Sequence, residues 1–215
     1  MSRALLSLAF ATGLLRSAAS AQGGVSVSLL ISSQEHRVDA GFGMVNTRGW
    51  VLGAMVGVGL ASHLRVQVTA TSGTLTTPSN NTDNEDVADV SALVQWSPAA
   101  WVSFNGFGSA RSATTPLARQ HWTSAGLGAD LRMPLIGSAT EGFLRLNVPL
   151  LVSVSGLAAP SVSVEGGAGL RYRQGRFLGQ LTYGLLRYDF PPAAGRTRLE
   201  EISTLTIGAG LLFGR

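Results

Sequence analysis

The sequence predicts an all-β chain: an antiparallel up-and-down transmembrane β-barrel of about ten strands. Three observations predict it. First, apolar and small-or-polar side chains alternate with period two along the whole mature chain, as they do in a strand. Second, the alternating runs span about 9–11 residues, the length with which a tilted strand crosses a bilayer. Third, charged residues make up only 13% of the 215, about half the usual share of roughly 25%. The 27 glycines are about twice the typical 7%. No stretch keeps a 3.6-residue period over a useful length. The longest apolar run beyond the N-terminal region, Trp50 to Ala61, is too short and Gly-rich for a membrane helix of about 20 residues. Low charge with a positive mean hydropathy also excludes a disordered chain.

Residues 1–21 read as a secretory signal, with Arg3 as the positive start, Ala4 to Leu15 as the apolar core and Ala19-Ser20-Ala21 as the cleavage site. Residues 22–215 are then expected to form one barrel domain. All 16 basic residues are arginine, and loss of Arg3 and Arg16 with the signal leaves 14 against 12 acids. They are scattered, without a basic helix or an aromatic RNA-binding motif, so nucleic acid is not an expected partner. The absence of cysteine excludes disulfides, thiolate metal sites, a cysteine nucleophile and a lipid anchor on cysteine. No metal-ligand spacing, phosphate loop or dinucleotide fingerprint occurs, so no metal or cofactor is expected.

The strands follow in order. Residues 24–46 must hold the first, although Val25-Val27-Leu29-Ile31 and Val38-Ala40-Phe42-Met44 both alternate and differ in parity. From Trp50 onward nine more strands can be counted, which makes ten; eight and twelve are the alternative counts. Leu52, Ala54, Val56, Val58 and Leu60 share one face, opposite Gly53, Met55, Gly57 and Gly59. The split recurs at Leu64/Val66/Val68/Ala70, Val90/Ala92/Val94/Trp96 and Ala125/Leu127/Ala129/Leu131/Met133. It continues through Leu144/Leu146/Val148/Leu150/Val152 and Val162/Val164/Ala168/Leu170/Tyr172 to Leu205/Ile207/Ala209/Leu211/Phe213. Pro149 sits within one of these runs, where it removes a ladder hydrogen bond, so a bulge or bend is expected there. Short connections fall at 61–63, 97–100, 134–141 and 174–175, and longer polar ones at 73–87, 111–121, 155–160 and 189–202.

The polar and glycine-rich face has no apolar set to fill a dry core, so the apolar face is expected to meet lipid. Aromatic residues gather near strand ends: Trp96 and Trp101 at one short turn, Tyr172 and Phe177 at another. Trp50, Trp122 and Tyr188 fall towards the opposite rim. Such rings favour the membrane–water interface, which predicts an aromatic girdle.

On these features residues 22–215 resemble the bacterial outer-membrane β-barrel superfamily. Thr206-x-Gly208-x-x-Leu211-x-Phe213 is similar to that family's C-terminal assembly signal, with the departure that Gly214 and Arg215 follow the phenylalanine. The resemblance implies location in the bacterial outer membrane, contact with outer-membrane lipid and lipopolysaccharide, and recognition by the barrel-assembly machinery.

Inside such a barrel, Arg65, Asp130, Arg132, Arg145, Glu165 and Arg171 are expected to form a lumen charge cluster. Asp130 and Glu165 should pair with Arg132, Arg145 or Arg171, because a lone buried charge is costly. An anion-attracting vestibule and an ion-pair network plugging a narrow barrel are the two readings of this cluster. Asp83, Glu85 and Asp86, and likewise Glu200 and Glu201, read as solvated loop acids. No catalytic residue is assigned. The expected role is structural, in passive permeability or in surface interaction. A narrow channel, a rim enzyme using His36 (near Glu35 and Asp39) or His121, and a soluble ligand-binding barrel are the alternatives.

Overall fold

A computed structural model describes residues 24–214, apart from 42, 78–79, 117, 138 and 194. The expected signal, residues 1–21, lies outside this range. Ten strands follow one another: β1 (Val25–Asp39), β2 (Met44–Ala61), β3 (Leu64–Thr77), β4 (Asn80–Ala99), β5 (Val102–Thr114), β6 (Arg119–Ile136), β7 (Thr140–Val154), β8 (Val162–Gln174), β9 (Phe177–Ala193) and β10 (Arg196–Phe213). Each pairs antiparallel with its neighbours in sequence, and β10 pairs with β1 from Val25↔Phe213 to Asp39↔Leu199, closing the barrel. The ambiguous first region resolves simply: β1 runs to Asp39, and Met44 already belongs to β2.

The strands run from 13 residues (β5) to 20 (β4), longer than the 9–11 expected. Most of 73–87 and 189–202, expected as loops, is strand. Thr74 and Thr76 carry the alternation of β3 beyond its apolar part, and Thr74 Oγ1 donates across the ladder to Asp86 at 2.7 Å. The outer face of these extensions is charged: Arg37 pairs with Glu35 at 3.0 Å and Glu201 at 3.5 Å, and Arg187 with Asp189 at 3.1 Å. The wall therefore continues beyond the bilayer at the end away from the termini. By the usual orientation of such barrels that end is extracellular, and the termini and the turns at Ser62-His63 and Gly175-Arg176 face the periplasm. Gly175, at φ 59°, supplies the left-handed conformation that tight turn needs.

The two faces of the wall differ as the alternation requires. Leu29, Leu52, Leu127, Leu144 and Ile207 point outward and are exposed, in a band far larger than a soluble surface carries. Trp50, Trp96, Trp101, Tyr172 and Phe177 are exposed on the same face. Trp122 does not join the girdle: it is only 5% exposed and points into the lumen, as does Tyr188. The reason is parity, since Trp122 lies on the same side of β6 as Gly126, Gly128 and Asp130. A bulge accompanies Pro149, where the register steps from Ala125↔Leu151 to Gly126↔Pro149. Leu150 is the extra residue. Beyond it the parity flips, so Val152, expected on the lipid face, turns inward with Val154.

The four tryptophans test this arrangement. In bilayers of brominated lipid, a variant keeping only Trp122 (Trp50, Trp96 and Trp101 each→Phe) should resist fluorescence quenching. Variants keeping only Trp50 or only Trp101 should be quenched strongly, and equal quenching of all three would refute the inward placement.

Candidate functional site

The lumen gathers polar and charged side chains, and two clusters divide it. The lower one is built on Asp130, which is fully buried. Arg145 donates to both its oxygens, at 2.7 and 2.8 Å, Gln95 at 2.9 Å and Asn105 at 3.4 Å. Arg171 stands 3.9 Å away, lies over the Phe143 ring at 4.2 Å and pairs with Glu141 at 3.4 Å. The bidentate guanidinium and two amides supply the bonds that a buried carboxylate needs. Gly128, next on the same face, makes room for this: a Cβ there would run into Asn105 and Asn147.

All six residues expected in the lumen cluster lie on inward positions, but they do not form one network. Asp130 gathers Arg145 and Arg171, while Glu165 sits beside Arg145 and Asn147. Arg132 donates instead to Ser103 at 2.6 Å and Ser97 at 3.2 Å, and Arg65 to Ser26 at 2.8 Å. The ion pairs also leave the lumen unfilled. A cavity of about 1180 Å³ opens past the periplasmic turn residues Ser62, Pro98 and Ala139 and reaches up to Gln34, Arg111 and Leu186.

Above that level an upper cluster of buried side chains occupies the lumen. Trp122 packs tilted against Tyr188 (centroids 4.9 Å) and edge-on to Phe190 (5.9 Å), with Val152 and Val154 against them. Val51, Leu75, Val87 and Ala113 form a second buried apolar group. His36 completes the cap: Nδ1 lies 3.0 Å from Glu85 and Nε2 3.4 Å from Glu200. Thr47 Oγ1 donates to Glu85 at 2.8 Å, and Arg198 Nε to Glu200 at 2.6 Å. Glu85 and Glu200, expected as solvated loop acids, are 5% and 0% exposed. These carboxylates, rather than Glu35 and Asp39, are the partners of His36. Parity was the signal that finds them: Glu200 shares the lumen face with Thr204 and Thr206, and Glu85 with Asp89 and Gln95. Because they face opposite nitrogens of one ring, they cannot converge on a common metal ion.

The outward neighbours of this cap, Glu35, Arg37, Asn84, Asp86 and Glu201, are polar or charged, so it stands above the lipid belt. Burial opposes a charge on His36, but the hydrogen bonds to Glu200 and Glu85 outweigh it and raise the imidazole pKa above its ordinary value. Burial likewise opposes ionisation of Glu85, yet His36 and Thr47 hold its carboxyl below the usual range.

The assembly-signal residues lie on the closing strand. Thr206 Oγ1 meets Ser32 Oγ at 2.8 Å and Gly208 is buried against Leu30 and Gln180, whereas Leu211 and Phe213 are exposed to the outside. His121 is exposed, and its backbone N–H donates to Ser155 Oγ at 2.8 Å.

A closed antiparallel barrel with an apolar outer belt, polar extensions at one rim and a charged lumen is the fold of the outer-membrane β-barrels. Solved structures of this fold match the chain. One is the outer membrane protease OmpT from Escherichia coli, with TM-score 0.62 and 7% identity over 88% of this chain and 97% of that one. Another is the translocator domain of the autotransporter NalP from Neisseria meningitidis, with TM-score 0.51 and 14% identity over 98% and 96%. The chain is thus a bacterial outer-membrane β-barrel in fold. No protein-family model matches it, and no curated protein matches its sequence.

Two measurements probe the clusters. Asp130→Asn should cost about 3–5 kcal/mol of stability in denaturant unfolding, because it strands the Arg145 charge. Asp130→Asn with Arg145→Met should cost distinctly less, and a single substitution as mild as the double would remove Asp130 from its central place. The cap should depend on pH. A raised histidine pKa contributes stability that is complete below the unfolded value of about 6.5 and is lost as pH rises through the folded one. The lowered Glu85 pKa contributes stability that is lost as pH falls through the carboxylate range. The stability difference between the native chain and His36→Gln should therefore be larger at about pH 6 than at about pH 9. An equal difference at both would mean that His36 is neutral in the cap.

Proposed function

We propose that this chain is a non-conducting outer-membrane barrel with a structural and surface-interaction role, and that it is not an enzyme. The observation that carries this reading is the cap. Two apolar groups and the His36–Glu85–Glu200 cluster are buried above the cavity, which supports a vestibule open toward the periplasm over a pore. A narrow channel would need an open path where Trp122, Tyr188 and Phe190 pack. The rim-enzyme alternative has little support: the His36 ring is enclosed between two carboxylates. Among the described residues the His121 ring has no carboxylate partner. On this reading the charged outer ring of Glu35, Arg37, Arg187 and Glu201 meets lipopolysaccharide headgroups. The closing strand, with Thr206, Gly208, Leu211 and Phe213, is what the barrel-assembly machinery receives.

The test is conductance in a planar bilayer. The native barrel should be silent, whereas Trp122→Ala with Phe190→Ala should give discrete current steps by thinning the cap. Steps of comparable size from the native protein would overturn the closed reading in favour of the channel.

A further inference from the structure

The vestibule carries more positive charge than its own acids neutralise. Arg65, Arg111, Arg132, Arg145, Arg171 and Arg173 line it. Their carboxylates are Asp89, Glu141 and Glu165 in the same lining, together with Asp130. Three arginines are matched: Arg111 to Asp89 at 3.8 Å, Arg145 to Asp130 at 2.7 Å and Arg171 to Glu141 at 3.4 Å. Arg65, Arg132 and Arg173 form no ion pair among the described residues. Arg65 and Arg132 reach only serine hydroxyls, and Nε of Arg132 is buried without any hydrogen-bond partner.

These three also sit together at the mouth. Arg65 follows the Ser62-His63 turn, the Arg132 backbone N–H bonds the Trp101 carbonyl, and that of Arg173 bonds the Ala139 carbonyl. Arg132 and Arg173 repel Arg65, against the weaker attraction of Glu141. Like charges held together in a confined, part-dry cavity cost free energy that a bound anion returns. The guanidinium fork matches phosphate oxygens in pairs, and each of these arginines keeps donors free. The cavity, near 1180 Å³, is somewhat larger than most small-molecule sites, which run to about 1000 Å³. A single phosphate would leave most of it empty. Around the mouth the wall is continuous paired strand, with β7 and β8 joined from Thr140↔Tyr172 to Asn147↔Glu165, so the site at the mouth is reached from the periplasmic side.

We propose that this vestibule binds a soluble periplasmic polyanion, a small molecule bearing two or more phosphate groups, through Arg65, Arg132 and Arg173. The matched pairs below the cap fix the shape of the site. The proposal goes beyond the closed-barrel reading and does not depend on it, because the charge excess lies at the mouth and not at the cap.

The experiment is calorimetric titration of the folded barrel, in non-ionic detergent, with tripolyphosphate and with inorganic phosphate. Tripolyphosphate should bind saturably, one per barrel, and at least tenfold more tightly than phosphate. Arg65→Gln and Arg132→Gln should each weaken it about tenfold or more, the worth of one charge-assisted hydrogen bond. Arg119→Gln, on the far rim, should leave binding unchanged. Each variant is first shown to fold by its heat-dependent shift on SDS gels. Should either lumen variant fail to fold, Arg173→Gln, exposed at the mouth, provides the same comparison. Absence of saturable binding, or binding that the arginine variants do not weaken, would overturn the proposal. So would binding seen only with micelles containing an anionic phospholipid, since the site would then serve a lipid headgroup.

Discussion

Everything in this structure depends on one constraint: a backbone in lipid must pair all its N–H and C=O groups within itself. A sheet meets that condition only by closing, and here closure is the pairing of β1 with β10 along the whole of β1. Once the wall is closed, every residue in it faces either lipid or lumen, and period-two alternation becomes obligatory. The apolar half of each strand is thereby committed to the outside. Leu205, Ile207, Ala209, Leu211 and Phe213 therefore lie opposite Thr204, Thr206, Gly208 and Gly210 on a single strand. The polar residues are left to the interior whatever their charge.

That interior then has to accommodate the charges it receives. Asp130 shows how: complete burial is tolerable because one guanidinium meets both oxygens and two amides take the remaining lone pairs. Local backbone chemistry shapes the rest. Gly128 gives up its side chain so that Asn105 and Asn147 can approach. Pro149, unable to donate to the ladder, is followed by the extra residue Leu150, and the resulting flip in parity aims Val152 and Val154 at Trp122, Tyr188 and Phe190. A single defect in one strand thus helps to build the cap.

The barrel, its strand count and its outward apolar face were legible because they express the alternation itself. What the sequence hid were places where alternation continues through polar residues or is interrupted. Residues 73–87 and 189–202 read as loops because they are hydrophilic, yet 84–87 and 198–202 keep the period of the strands they belong to, and following it back from Asp89 and Thr204 would have placed Glu85 and Glu200 inside. Trp122 was misplaced by its residue type, since its parity with Asp130 already pointed it inward. Val152 was beyond reach of simple counting, because the insertion at Leu150 shifts the parity and only the neighbouring strand reveals it. The partners of His36 were likewise hidden: Glu85 is 49 positions away and Glu200 164, and the barrel's closure brings them together.

The two ends of the lumen treat charge in opposite ways. At the extracellular end His36, Glu85, Glu200 and Arg198 satisfy one another among apolar side chains, so nothing is left over to attract a ligand. At the periplasmic end Arg65 and Arg132 bond to neutral hydroxyls and keep their full charge, and the space before them is open. Pairing charges internally costs an ordered network but removes the repulsion, whereas leaving them unpaired keeps a field that reaches beyond the mouth. A barrel that needed only to be closed and stable would gain by neutralising both ends alike. On the proposed reading this asymmetry gives the molecule a direction: sealed toward the outside, and electrostatically receptive toward the periplasm.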